Sequence, residues 1–109
     1  MKAFWESLKY PYSGRLECDF PEKIPTYKPF DFGCSFYYDI GFRSNDVVIF
    51  TMEGVAEYKG NYIHIIARKK RLTCNSQFQI SITQTDKDNW FGEYSSINPI
   101  DHGELKTFE

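Results

Sequence analysis

The sequence is poor in the residues that usually hold metals or carry catalysis. It has two histidines, His64 and His102, and three cysteines, Cys18, Cys34 and Cys74, with no CxxC pair. Zinc sites usually show paired ligands such as CxxC or HxxxH, and the candidates His64, His102, Asp101, Glu104 and the three cysteines form no such pair. "DKDN", residues 86–89, has two acids but lacks the glycine and the distal glutamate of a calcium loop. No GxSxG occurs, and no cysteine stands in a recognised nucleophile setting. The expectation is a chain with no metal, no cofactor and no catalytic residue.

Other absences narrow the class further. There is no excess of positive charge: the formal net charge is −2. A protein that neutralises phosphates usually needs a basic footprint, so nucleic acid is not the expected partner. No uncharged apolar run approaches the roughly 20 residues of a membrane-spanning helix. The opening "MKAFWESLKYPYSG" has no apolar stretch of signal-peptide length. Three cysteines cannot all pair within one chain, which points to reduced thiols in a cytoplasmic protein.

Aromatic residues are what the chain does have. Ten Phe and eight Tyr raise the aromatic share to 18% of 109 residues. Such side chains favour strands, and this much apolar surface is enough for one folded domain spanning 1–109. The clearest pattern is "CSFYYDIGF", residues 34–42, where Cys34, Phe36, Tyr38, Ile40 and Phe42 alternate with small or polar residues. Strict alternation marks a half-buried strand. "VVIFTMEGVAEY", "YIHIIARKKRL", "QFQISITQT", "WFGEYSSI" and "GELKTF" follow in turn, separated by "RSND", "KGN", "TCNS" and "DKDN". "GRLECDF" supplies an earlier strand, with Leu16, Cys18 and Phe20 on one side. "PEKIPTYKPFDFG", with three prolines, reads as an irregular connection covering a sheet face or barrel end. "AFWESLKY" places Phe4, Trp5 and Leu8 at helical spacing and reads as a short helix ended by Pro11.

Short loops between successive strands imply antiparallel neighbours. The expected fold is mainly β: an up-and-down meander of six or seven strands. It forms a small barrel or a strongly curved sheet, with a short N-terminal helix. This run of strands ending in "FGEYSS" resembles the calycin-type barrels of lipocalins and avidins in pattern. The lipocalin GxW signature is absent where the sequence reads "GRLEC", so the resemblance implies architecture and no ligand residue.

Charge is segregated along the chain. Residues 59–72 hold five cations and no acid, whereas residues 86–109 hold six acids and two lysines. On a strand, Arg68 and Lys70 share a face. They either form a docking lobe or face the acidic strands, where opposite charges stabilise modestly. Tyr37 and Phe91 fall on the opposite parity from their core-facing neighbours and would form an outward aromatic patch. One expectation follows: a non-enzymatic protein-binding module such as an inhibitor, immunity or phage anti-defence protein. Its contact residues would be Tyr37, Arg68, Lys70, Arg71 and Phe91. A second reading is a small-ligand barrel of calycin-like architecture with a cavity lined by Phe36, Tyr38, Phe50 and Trp90. A third is a hydrolase-like enzyme using His64 or His102. "SINPIDHGEL", residues 96–105, gathers an Asp, a His and a Glu. It reads as a turn before the last strand.

Overall fold

The computed structural model describes residues 1–41, 44–70, 77–86, 89–97 and 100–107. Eight antiparallel strands run in chain order: β1 (Lys2–Ser7), β2 (Ser13–Asp19), β3 (Phe30–Ile40), β4 (Asp46–Lys59), β5 (Tyr62–Lys69), β6 (Gln77–Asp86), β7 (Asn89–Ile97) and β8 (Asp101–Thr107). Each strand pairs with the next, and β1 also pairs with β8, closing the barrel. Closure removes the unpaired edges on which sheets aggregate.

The expected six or seven strands are eight, and the expected N-terminal helix is a strand. No helix occurs among the described residues. Ala3, Trp5 and Ser7 point inward while Phe4 and Glu6 point outward. That segment satisfies two periods at once, since Phe4, Trp5 and Leu8 also fit one helical face. Tertiary demand decides, because only a strand between β2 and β8 can complete the ladder. Leu8, counted in the helical face, is exposed beyond the strand end.

The interior follows the alternation. Leu16, Cys34, Met52, Ile65, Ile80 and Ile82 are the largest side chains shut off from solvent. Trp5, 2% exposed, packs edge-on against Tyr38 with ring centroids 5.0 Å apart, and against Tyr94 at 5.9 Å. Its indole N–H donates to the Tyr37 carbonyl at 3.0 Å, so the buried polar tip is satisfied. Gly14 and Gly103 are buried at points where a neighbouring strand's backbone leaves no room for a side chain. A Cβ on Gly14 would collide with the Tyr37 carbonyl, and one on Gly103 with the Glu6 carbonyl and the Tyr94 ring.

β3 starts at Phe30, four residues before the expected strand, because Phe30 and Phe32 continue the inward alternation of Cys34 and Phe36. At its far end Ile40, expected inside, is 61% exposed, and the β2–β3 register shifts next to it between Ser13 and Gly14. The rest of the Pro-rich connection touches the core through the partly buried Ile24, whereas the Tyr27 ring, expected to pack, is exposed. Phe20 lies 4.7 Å from Phe32 and 5.4 Å from Trp90, and the Tyr27 N–H donates to the Ala56 carbonyl at 2.9 Å.

Candidate functional site

The cross-strand registers assemble an outer wall that no single segment displays. Phe91 on β7 lies opposite Lys106 on β8, and Lys106 lies opposite Phe4 on β1. Phe4 lies opposite Arg15 on β2, Arg15 opposite Tyr37 on β3, and Tyr37 opposite Val47 on β4. The result is one row across six strands, whose first five residues alternate aromatic and cationic before the row ends on Val47. The Arg15 guanidinium sits 4.6 Å above the Tyr37 ring, within cation–π range, and its Nε reaches Asp39 at 3.5 Å. Phe4 and Phe91 are about half exposed, at 45% and 52%.

A second row runs alongside the first. Glu93 on β7 lies opposite Glu104 on β8, and Glu104 lies opposite Glu6 on β1. All three are exposed, and none makes an ion pair among the described residues. Like charges directly opposite on adjacent strands repel. Shallow grooves flank the junction of the two rows. One of about 360 Å³ is lined by Phe4, Glu6, Ile40 and Lys106, and one of about 500 Å³ by Thr83, Phe91, Glu93 and Glu104.

The residues expected from the sequence are divided by this geometry. Tyr37 and Phe91 stand in the same row, bridged by Arg15, Phe4 and Lys106. Arg68 and Lys70 lie apart from it, on the outer face of β5 and just beyond its end. Arg68 pairs in register with Glu53, and Lys70 Nζ meets Asp31 Oδ2 at 2.5 Å. The hydrogen bond and the charge of Asp31 raise the Lys70 pKa above its ordinary value. This part of the basic run faces its own acids. Arg71 and Cys74 lie outside the described residues.

The four residues of the cavity reading all point inward; Phe36, Tyr38 and Phe50 join one packed ring cluster through Trp5, and Trp90 stands apart from it. Phe36 packs on Phe50 at 6.0 Å and on Phe78 at 4.8 Å, and Tyr38 packs on Trp5. Trp90 belongs to a separate cluster with Phe20.

His64 is held on the outer wall, its Nδ1 2.8 Å from Thr83 Oγ1 and its Nε2 3.4 Å from Ser81 Oγ. His102 is exposed at the start of β8. Asp101, expected in a turn, is the first residue of that strand. Its Oδ1 accepts from Ser7 Oγ at 2.6 Å and from the His102 N–H at 2.8 Å, and its Oδ2 accepts from Tyr94 OH at 3.0 Å. Asp101 therefore fastens β8 to β1 and β7. Among the described residues no group of three His, Cys, Asp or Glu could hold a metal ion.

The sequence reading gave Phe4, Glu6, Arg15 and Lys106 no site role and weighed Glu104 only as a metal ligand. The alternation within "AFWES" would have turned Phe4 and Glu6 outward. Their alignment with residues about a hundred positions later depends on register, which a single sequence does not encode. The chain matches no family model, no curated protein and no solved structure.

Proposed function

We propose that this protein is a non-enzymatic binding module that docks a protein partner on the wall formed by β7, β8, β1, β2 and β3. The observation that carries the reading is the row Glu93–Glu104–Glu6, three carboxylates in register that make no ion pair among the described residues, with Lys106 of the neighbouring row the cation beside them. Their repulsion costs the free barrel stability, and a basic partner surface would relieve it. The adjoining row offers Phe91, Phe4 and Tyr37 as aromatic anchors, the residue class that dominates interface energetics. The partner therefore presents lysines or arginines beside apolar side chains. Inhibitors and immunity proteins act by this kind of surface coverage. Arg68 and Lys70 have a smaller part in this reading, because Asp31 and Glu53 already face them.

Affinity capture with three forms of the protein tests the proposal. The comparison is between wild type, the pair Glu6→Lys with Glu104→Lys, and the pair Arg68→Glu with Lys70→Glu. The expected result is a partner held by wild type and by the second pair but lost by the first. Loss only with the second pair would move the interface to the basic run. Retention by both would remove the electrostatic wall as the contact surface.

A further inference from the structure

Cys18 on β2 and Cys34 on β3 are direct cross-strand partners, and both side chains face the core, 4% and 1% exposed. Their sulfur atoms are 3.6 Å apart. The backbone fixes the kind of pair they form. The Cys18 N–H donates to the Met1 carbonyl, and the Met1 ammonium donates to the Cys18 carbonyl. Both polar groups of Cys18 are thus turned away from β3, which makes Cys18 and Cys34 a non-hydrogen-bonded pair. Such pairs bring the Cα atoms to about 4.5 Å and the side chains closest together. That separation lies inside the range a disulfide spans, and χ1 rotation is enough to bring the sulfurs to the bonded distance of about 2.0 Å.

We propose that Cys18 and Cys34 are a disulfide pair whose redox state is set while the chain folds and is then locked in by barrel closure. The oxidant is a small disulfide of the glutathione class. In the open chain one cysteine thiolate attacks the oxidant, forming a mixed disulfide and releasing one small thiol. The second cysteine thiolate attacks the protein sulfur of that mixed disulfide and expels the other small thiol. Two protein thiols lose two protons and two electrons, and the bond in the oxidant is reduced to two thiols.

After closure the route is blocked in both directions. Neither sulfur is reachable, and the hydrogen bond with Cys18 together with burial raises the Cys34 thiol above its ordinary pKa, which disfavours its thiolate. The crosslink would staple the base of the connection running from Phe20 to Pro29, whose first residue, Phe20, packs on Phe32 and Trp90. By restraining the unfolded chain over that loop, it should raise the Tm by about 10 °C.

The test uses the full chain carrying Cys74→Ser, so that the third thiol cannot compete, alongside the unsubstituted chain. Each is unfolded under reductant and refolded either with reductant or with a mixture of oxidised and reduced glutathione. Thiols are then alkylated in denaturant and the protein is weighed, mapped and melted. The expected result is a Cys18–Cys34 crosslink only in the oxidative refolding, with the higher Tm. Folded dithiol protein placed in the same glutathione mixture should keep both thiols for hours. Free Cys18 and Cys34 after oxidative refolding of both chains, or a crosslink that lowers Tm, would overturn the pairing. Rapid oxidation of the folded dithiol form would overturn the locking.

Discussion

Ser7 donates its hydroxyl to the carboxylate of Asp101 at 2.6 Å across 94 positions of sequence, and this contact ties the first strand to the last. The same Ser7 oxygen accepts from the Lys9 and Tyr10 N–H groups at 3.1 and 2.9 Å, so the β1–β2 turn hangs from the bond. Tyr94 occupies the other carboxylate oxygen. Asp101→Ala removes the acceptor of two side-chain donors and should cost about 3 kcal/mol, since hydrogen bonds to charged groups contribute about 1.5–3 kcal/mol each. Ser7→Ala, which leaves the Tyr94 bond in place, should cost about half as much. Urea unfolding at neutral pH measures both, and equal costs would show that Asp101 does not act as the shared acceptor.

The same contact makes stability sensitive to alkali. Burial first, and then the Asp101 charge, push the Tyr94 pKa well above the usual value of 10.0. The folded state thus keeps a proton that the unfolded chain gives up near pH 10. The associated stability is complete below that pH and is lost progressively as the pH rises beyond it. Tyr94→Phe should be less stable than wild type at pH 7, by about 1–2 kcal/mol for the lost bond. Its further decline above pH 10 should be shallower. Unfolding curves for the two proteins between pH 7 and pH 11 should converge, and parallel decline would contradict this.

The meander was legible from residue 34 onward because Cys34–Phe36–Tyr38 and Phe78–Ile80–Ile82 alternate without interruption. β1 was not, because Phe4, Trp5 and Leu8 also satisfy the helical period and only pairing with β8 selects the strand. Tyr37 and Phe91 could be turned outward by parity alone. Their union in one row could not be read, because it passes through Lys106, Phe4 and Arg15 on three other strands. Charge was legible in amount but not in partner. The basic run stood out in the sequence, yet Asp31, 39 positions away, is what meets Lys70.

Gly103 and Gly33 give a paired test of how closely the barrel is wound. A Cβ on Gly103 would meet the Glu6 carbonyl and the Tyr94 ring, whereas the nearest atom to a Cβ on Gly33 is 4.0 Å away. Gly103→Ala forces backbone apart at the β1–β8 seam. It should cost about 3 kcal/mol, the upper range for overpacking, or prevent folding. Gly33→Ala, on the exposed face of β3, should change stability by less than about 0.5 kcal/mol. Thermal melts of the two variants settle the comparison, and similar behaviour would mean that the seam is more open than described.

The glutamate row predicts a trade between stability and binding. Glu104 lies between Glu93 and Glu6 and therefore carries repulsion from both sides. Neutralising it by Glu104→Gln should stabilise the free barrel by about 0.5 kcal/mol, within the range for cross-strand charge pairs. The gain should shrink at high salt, because exposed charges are screened. Glu17→Gln is the control. Glu17 faces Lys2 on β1 and Ser35 on β3 rather than another acid. Its neutralisation removes a favourable neighbour and should not stabilise. A row kept for binding loses partner affinity as it gains stability, so Glu104→Gln should melt higher and capture less. If Glu104→Gln melts lower than wild type at low salt, the three carboxylates do not repel one another, and the electrostatic basis of the wall fails.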